Sequence, residues 1–258
     1  MSSPVLELID LSKNYGHGDI FSGISFAVEE GTSVGLFGQS GSGKTTLGRC
    51  IMHLEKPSSG KIMLHGIDLS SLSSKKLREY RQSYQMIFQH PEVSLNPRMT
   101  LAESVTELLM VHQKIRFDEA LRRIQSLISR VGLRNEHLER YPHQLSGGEV
   151  QRAVLARIFS LKPKLVIADE PTSMLDVSVQ AQVLRLMQDL QLETGVAYVF
   201  ISHDPDVMSA MCNQIFWLTN GTGIMYDRLT FMDLVHKEYE SSDLPERLST
   251  SPAARIPV

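Results

Sequence analysis

Short apolar stretches bounded by turns alternate with segments of helical periodicity along this chain. A turn is predicted at Glu30-Gly31, within the segment 20–37. The stretches in the first third of the chain predict β-strands at residues 5–11, 20–37, 61–64 and 84–88.

Helical periodicity first appears directly after residue 43. Apolar residues three or four positions apart define one face of this predicted helix, and they are Leu47, Cys50, Ile51 and Leu54. A short polar helix is predicted at 75–81, with Ser73 or Ser74 as its N-cap.

The chain changes character in its middle. Residues 100–131 have few Gly or Pro and read as helical, so we expect a separate helical lobe inserted into an α/β chain. Alternation then resumes with helices at 149–161, 178–193 and 206–212 and strands at 165–168 and 196–201. Continuous apolar strands that alternate with helices predict a buried parallel sheet, whose loops at the carboxyl ends of the strands bind ligands.

A glycine-rich loop joins the apolar segment 34–37 to the first helix, and it reads Gly38-Gln39-Ser40-Gly41-Ser42-Gly43-Lys44-Thr45. Glycine lets the backbone wrap a phosphate, and successive N–H groups then point at the anion from the positive end of the helix dipole. Lys44 adds a charge for the β- and γ-phosphates, and the Thr45 hydroxyl can ligate Mg²⁺. The alternative is a Gly/Ser-rich loop that only caps a helix. Because glycine, lysine and threonine are all in register, we expect the chain to bind a nucleoside triphosphate.

An acidic pair, Asp169-Glu170, leaves the apolar strand 165–168 and precedes a proline. The first carboxylate is expected to hold Mg²⁺ opposite Thr45. The second is expected to orient or deprotonate the water that attacks the γ-phosphate. The alternative is a strand that ends in ordinary solvated carboxylates.

Two further polar side chains follow apolar strands. His203 comes after strand 196–201 and can contact the γ-phosphate or the attacking water, although Asp204 and Pro205 also form a good N-cap and N1 pair with His203 simply in the turn. Gln89 comes at the end of the predicted strand 84–88, where its amide can reach Mg²⁺ or water. A lone glutamine is weak evidence by itself.

A second glycine pair opens a later helix in the segment Leu145-Ser146-Gly147-Gly148-Glu149. Ser146 and Glu149 match a capping box. A capping box does not need two glycines at the first helical positions, where they weaken the helix. They do expose backbone N–H groups at a helix N-terminus, which makes a second anion site.

Composition narrows the class of protein. The chain has 258 residues, of which 42% are hydrophobic, so we expect one domain or two closely packed lobes. A net charge of −3 argues against nucleic-acid binding by bulk electrostatics. Cys50 and Cys212 lack metal-ligand spacing and suggest a reducing compartment. Without a signal peptide or an apolar run of membrane length, the protein is expected to be soluble and cytosolic, with any membrane role through a partner.

Together these motifs resemble those of the nucleotide-binding subunit of ATP-binding-cassette (ABC) transporters over nearly the whole chain. Residues 38–45 resemble the Walker A loop, and 145–149 resemble the signature motif. Residues 165–170 resemble Walker B, 173–176 the D-loop, Gln89 the Q-loop and His203 the switch histidine.

The resemblance implies an α/β fold. Its core would be that of a P-loop NTPase, with a mostly parallel sheet and a small antiparallel β subdomain. A nucleotide-binding domain would span residues 4–237, with a helical subdomain inserted at about 93–155. Residues 238–258 are rich in Ser, Pro and charge, and we expect them to form a flexible tail.

The resemblance also implies ATP and Mg²⁺ as ligands. The implied catalytic residues are Glu170, His203, Lys44 and Gln89, and the implied metal ligands are Thr45, Gln89 and Asp169. Tyr15 matches the aromatic residue that stacks on adenine. The implied nucleotide contacts are Tyr15, Gly38, Gln39, Ser40, Gly41, Ser42, Gly43, Lys44, Thr45, Thr46, Ser146, Gly147 and Gly148.

By the same resemblance, two subunits pair head to tail and each ATP lies between the Walker A loop of one and residues 146–148 of the other. The implied partners are transmembrane permease subunits, a second, paralogous ABC ATPase or a second copy of this chain, and an extracytoplasmic substrate-binding protein, with no nucleic acid. The implied location is peripheral, on the cytoplasmic face of the inner membrane.

Two departures and one subgroup signal complete the comparison. Met174 stands where the D-loop usually has Ala, and Glu149-Val150 replaces the commoner Gln pair. Residues 89–100 resemble the dipeptide, oligopeptide and nickel importer group, and the short tail is closer to the nickel and metal-chelate branch. The alternatives are a soluble ABC ATPase acting on nucleic acid or ribosomes, and a scaffold that binds ATP without hydrolysing it; the presence of Glu170 and His203 argues against the scaffold.

Overall fold

The computed structural model describes residues 3–16 and 18–241, which divide into two units. One unit contains the described residues up to Leu72 and those from Ala197 onward, and the other is Ser73–Val196. In chain order the elements are β1 (Leu6–Asn14), β2 (Asp19–Val28), β3 (Ser33–Phe37), α1 (Lys44–Ile51), β4 (Ser59–Leu64), β5 (Ile67–Asp68), α2 (Ser74–Tyr80), β6 (Tyr84–Ile87), α3 (Leu101–Gln113), α4 (Phe117–Arg130), α5 (Asn135–Leu138), α6 (Gly147–Phe159), β7 (Leu165–Asp169), α7 (Val177–Thr194), β8 (Ala197–Ile201), α8 (Pro205–Met211), β9 (Gln214–Thr219), β10 (Thr222–Asp227) and α9 (Arg228–Ser241).

The first unit contains a small antiparallel sheet with the strand order β2-β1-β4-β5. Leu6 pairs with Val28 and Leu8 with Phe26, and all four side chains are buried. The turn predicted at Glu30-Gly31 is confirmed, and it divides the segment 20–37 into two strands, β2 and β3. They are separate because the chain turns at Gly31, whose φ of +71° lies in the left-handed region that favours glycine.

The same unit contains parallel strands that carry the glycine-rich loop. Strand β3 pairs in parallel with β8 on one side and β9 on the other, and β10 is antiparallel to β9. All five residues of β8 are buried, as the continuous apolar pattern predicts for a strand covered on both faces.

Helix α1 follows this loop and buries one face. Leu47, Cys50 and Ile51 are all at most 1% exposed, which confirms their predicted placement in the core. The prediction that Leu54 shares this face is wrong, because α1 ends at Ile51 and Leu54 is 45% exposed. The positive φ of His53 turns the chain away from the helix axis before Leu54.

In the second unit, β6 and β7 form a parallel pair, with Ile87 opposite Ala168. Ser73 caps α2, as predicted. The predicted helical block 100–131 consists of α3 and α4, which are separated at Lys114 because this residue has a left-handed φ of 55°. Helix α6 packs against α3, α4 and α7.

Three elements, β9, β10 and α9, lie beyond the last predicted helix. Phe37, Trp217 and Phe231 hold α9 against the sheet through edge-to-face contacts, with ring centroids 4.9–5.7 Å apart. The expected tail, 238–258, overlaps the last four residues of α9 and otherwise lies outside the described residues. Within residues 3–16 and 18–241, no helix combines the length and apolarity needed to cross a membrane. The predicted α/β class, with a mostly parallel sheet and a smaller antiparallel one, is confirmed.

Candidate functional site

The glycine-rich loop curls around the lysine that ends it. Lys44 is 7% exposed, and its Nζ donates hydrogen bonds to the carbonyl oxygens of Gly38 at 2.8 Å and Gln39 at 2.7 Å. Gly38 has a φ of +155°, and a Cβ there would lie 2.3 Å from the carbonyl oxygen of Leu218. Gly43 has a φ of +99°, which a side chain would strain. The loop therefore requires glycine at both positions.

The start of α1 is well suited to an external anion. Gly43 is the N-cap and has no side chain to accept from the first-turn N–H groups, and no acidic residue lies in that turn. The Oγ of Ser42 is buried and has no hydrogen-bond partner in the described part of the chain. Donors at a helix N-terminus beside a lysine fit a phosphate group.

His203 follows the strand beside the one that leads into this loop. Leu36 of β3 is opposite Ile201 of β8, so Gly38 and His203 each lie two residues beyond a paired position. Both therefore lie at the carboxyl edge of the same parallel strands. His203 is exposed, and Asp204 and Pro205 form the predicted N-cap and N1 pair of α8.

Tyr15 lies on the surface of the same unit. Its ring is 53% exposed, and the Nζ of Lys13 lies 4.5 Å from the ring centroid on one face. The Tyr15 hydroxyl is hydrogen-bonded to the Glu55 carboxylate, and this bond raises the pKa of the tyrosine. The exposed ring is available as a flat stacking surface.

In the second unit, Gln89 and Glu170 are brought together at the ends of β6 and β7. The Nε2 of Gln89 donates a hydrogen bond to Oε2 of Glu170 at 2.9 Å. Asp169 ends β7 and is 4% exposed, whereas Glu170 is half-buried. The Q-loop glutamine thus directly contacts the carboxylate predicted to act on water.

The backbone of Glu170 is strained. Its φ of 45° lies in the left-handed region, which a side chain other than glycine's adopts at a cost of about 1–3 kcal/mol. The carbonyl oxygen of Glu170 accepts hydrogen bonds from the N–H and hydroxyl of Ser173, at 3.3 and 3.1 Å, and these hold the turn. Strain of this kind is concentrated at functional sites.

The described residues contain no group of three or more His, Cys, Asp or Glu that would hold a metal ion alone. An Mg²⁺ ion would therefore depend on phosphate oxygens of a bound nucleotide in addition to single protein side chains. This is the ligand set that Mg²⁺ takes in nucleotide sites. The donor set thus fits an ion that arrives with its nucleotide.

The signature segment forms an exposed helix start. Ser146 caps α6 in a complete capping box: its Oγ accepts from the N–H of Glu149 at 3.4 Å, and Oε2 of Glu149 accepts from the N–H of Ser146 at 2.8 Å. Gly147 and Gly148 occupy the first two helical positions, where N–H groups have no intrahelical acceptor. Ser146 and Gly147 are exposed to solvent.

One residue at this helix start was not predicted from the sequence. His137 is 4% exposed, and its Nε2 lies 3.2 Å from Oε1 of Glu149. The two residues lie on different helices, and no local sequence pattern links them. The assignments of Lys44, Gln89 and Glu170 to catalysis, and those of the other predicted site residues, stay predictions.

A family model described as "ABC transporter" matches residues 21–173. The di/tripeptide transport ATP-binding protein DppF of Pseudomonas aeruginosa is 41% identical over 82% of this chain and 68% of its own length. The oligopeptide transport ATP-binding protein AppF of Bacillus subtilis is 41% identical over 86% of this chain and 69% of its own.

Solved structures of ABC ATPases have a similar fold. The protein cbiO1 from Clostridium perfringens, part of the ABC transporter complex cbiONQ, has a TM-score of 0.80 at 26% identity over 92% of this chain and 95% of that one. The dimeric ATP-binding cassette MJ0796, bound to ADP and Pi in a post-hydrolysis state, has a TM-score of 0.77 at 27% identity, over 86% of this chain and 98% of that one. With the family model spanning more than half of its residues, this chain belongs to the ABC transporter family and is one of its ATP-hydrolysing proteins.

Proposed function

We propose that this chain energises a peptide importer by pairing head to tail with a second ABC ATPase, so that each ATP lies between the Walker A loop of one subunit and the signature of the other. The second subunit is a paralogue or a second copy of this chain. ATP closes the pair, and hydrolysis opens it.

The observation that carries this proposal is the presence of two helix starts suited to anions. The start of α1 has Lys44 and an N-cap without a side chain. The start of α6 has two glycines in its first helical positions, with Ser146 and Gly147 exposed to solvent. A nucleotide gripped by the first loop on one subunit leaves the second helix start to a nucleotide on the partner, which makes ATP the bridge between subunits.

The residues of the first subunit divide the work of hydrolysis. Lys44 balances the charge of the β- and γ-phosphates. Glu170 orients and deprotonates the attacking water, and Gln89 holds the carboxylate in place at 2.9 Å. His203 braces the γ-phosphate from the end of β8, the strand beside β3. Water attacks the γ-phosphorus, and the bond between this phosphorus and the oxygen that bridges it to the β-phosphate breaks. ADP and phosphate then leave.

Mg²⁺ would be held by Thr45, Asp169 and Gln89, where it neutralises charge on the phosphates. Ser146, Gly147 and Gly148 would contact the γ-phosphate of the partner's ATP. Tyr15 offers its ring to the adenine, and residues 38–46 enclose the triphosphate.

The organisation of the chain supports a role as a peripheral subunit. We assign residues 4–237 to the nucleotide-binding domain and about 93–155 to an inserted helical subdomain that docks, with the segment after Gln89, onto transmembrane permease subunits. This chain would lie at the cytoplasmic face of the inner membrane, and an extracytoplasmic substrate-binding protein would complete the assembly on the opposite side.

Peptides are the proposed cargo, because the DppF and AppF relatives are named for peptide transport. Nickel, the metal-chelate cargo considered from the sequence, gains no support from these relatives. The alternative of nucleic-acid or ribosome work is not favoured either, because the matched family is that of transporters.

The Glu170→Gln variant tests the pairing. The amide keeps the size and the contact with Gln89 but cannot take a proton from water, so we expect turnover to fall by roughly 100-fold or more. ATP should remain bound, and size-exclusion chromatography should show a dimer with ATP and a monomer without it. Glu119→Gln, at an exposed position on α4, is the matched control and should behave as wild type. A monomeric Glu170→Gln protein that releases phosphate at the wild-type rate would refute the proposal.

The cargo is tested in cells that lack the chain. Uptake of a radiolabelled dipeptide and oligopeptide should be lost and should return with the wild-type chain but not with Lys44→Ala. Loss of ⁶³Ni²⁺ uptake with intact peptide uptake would refute the peptide assignment.

A further inference from the structure

His137 is a buried histidine in contact with the signature helix. It lies on α5, and its side chain is only 5% exposed. Two acidic side chains face its Nε2: Glu149 at 3.2 Å and Glu136 at 3.9 Å. The nearer one is the capping-box glutamate of α6.

A backbone contact fixes which nitrogen of the ring carries the proton. The N–H of Arg134 donates to Nδ1 of His137 at 3.0 Å. A ring nitrogen that accepts a hydrogen bond carries no proton, so in this arrangement the proton is on Nε2. The protonated nitrogen is therefore the one that faces Glu149.

The carboxylate of Glu149 has both oxygens engaged. Oε2 accepts from the N–H of Ser146 at 2.8 Å and from its hydroxyl at 2.9 Å, while Oε1 faces His137. The bond from the Ser146 backbone is the main cause that lowers the pKa of Glu149, so this group is a carboxylate at neutral pH. The Nε2–Oε1 pair lies within hydrogen-bonding distance but is not well aligned, so it is a close electrostatic contact.

We propose that His137 is a positioning residue for the signature serine: it presents the N–H of Nε2 to Glu149, and Glu149 in turn holds the side chain of Ser146 in place at the exposed start of α6. This inference rests on the proposed function, because it assumes that Ser146 meets a γ-phosphate. It deepens that function by naming what holds the serine in place.

The arrangement favours glutamate over glutamine at position 149. Three donors converge on this side chain: the N–H and O–H of Ser146 and the Nε2–H of His137. A carboxylate presents only acceptor oxygens to all three, whereas an amide would turn its own NH₂ toward one of them. Glu149→Gln should therefore weaken either the contact with His137 or the cap.

The tautomer of His137 can be observed directly. Long-range ¹H–¹⁵N correlation of the ¹⁵N-labelled full chain distinguishes the two tautomers, and the His137→Gln spectrum assigns the signal. We expect a proton on Nε2 and none on Nδ1. A spectrum with the proton on Nδ1 would overturn the inference whatever the chain's activity.

Turnover separates this inference from the function on which it rests. We expect His137→Leu to lower kcat about tenfold, the size expected when a carboxylate loses one close polar partner, while binding of a fluorescent ATP analogue to the subunit stays unchanged. His137→Gln keeps an N–H donor and should recover most of the rate. In a Ser146→Ala background, His137→Leu should have no further effect.

Each outcome has a distinct meaning. If Ser146→Ala leaves turnover unchanged, the proposed function fails. If Ser146→Ala stops turnover and His137→Leu leaves kcat at the wild-type value, only the role of His137 fails. Should His137→Leu not fold, as judged by its melting curve, Glu149→Ala at a half-buried position must lower kcat instead, and a wild-type kcat for that variant would overturn the inference.

Discussion

Replacing Gly148 by alanine tests whether the packing of α6, as well as its ligand, requires glycine in the signature. A Cβ on Gly148 would lie 2.6 Å from Cγ1 of Val179. Carbon atoms in favourable contact are about 3.5–4.0 Å apart, so this pair would clash. Val179 is β-branched and lies in the first turn of α7, where its χ1 has little freedom to rotate away.

The size of the effect follows from two opposing contributions. Overpacking of this kind costs about 1–3 kcal/mol. The better helix propensity of alanine offsets up to about 1 kcal/mol of that cost. We therefore expect Gly148→Ala to lower the free energy of unfolding by about 1–2 kcal/mol. Gly147→Ala is the matched control: its Cβ would lie 3.3 Å from the flexible end of Leu175, which can move, so its stability should be near wild type.

A double-mutant cycle with Val179→Ala isolates the clash. That substitution removes Cγ1 and leaves the Cβ of residue 179 at an ordinary 3.9 Å from the new methyl group. Urea unfolding of the wild type, both single variants and the double variant should give a favourable coupling of about 1–2 kcal/mol. Additive effects would refute the packing argument. If the double variant regains stability but hydrolyses ATP slowly, glycine at position 148 is also needed for the interaction with the nucleotide.

Three other predictions follow from contacts in the structure. Lys44→Ala removes the buried ammonium and should abolish nucleotide binding in a fluorescence titration, with a circular dichroism spectrum like that of the wild type. Cys50 and Cys212 should resist a disulfide reagent at pH 8 until the protein unfolds. Burial raises the pKa of Cys50 to about 11 and also raises that of Cys212, so both remain unreactive thiols. Rapid modification of the native chain would contradict this prediction. Arg157→Met breaks the 2.6 Å ion pair with Glu107 and should lower the free energy of unfolding by roughly 2 kcal/mol, so an unchanged urea midpoint would show that the pair is dispensable.

Local patterns predicted most of the helices and strands. The capping box of α6 could be predicted because it lies within four consecutive residues. The buried face of α1 could be predicted because its apolar residues have helical spacing. The end of α1 was misplaced because a left-handed φ is usually indicated by glycine, and here the residue that adopts it is His53. The split between α3 and α4 at Lys114 was missed for the same reason.

The contact between His137 and Glu149 could not be predicted in the same way. The two residues lie on different helices, α5 and α6, and neither is part of a spacing pattern that links them. A lone histidine near an apolar segment is most simply a core residue. Only the packing of α5 against the start of α6 makes its Nε2 face a carboxylate.

Strand register explains why the sequence identifies the candidate site residues but does not predict which of them contact each other. The register Ile87–Ala168 places Gln89 beside Glu170, 81 residues away in sequence. A half-buried strand reveals its register because its apolar residues alternate, and a slip of one residue would turn them outward. All five residues of β7 are buried, so its sequence has no alternation to read. The motifs therefore identify which strand ends carry the chemistry, and the backbone pairing of buried strands decides which of those side chains meet.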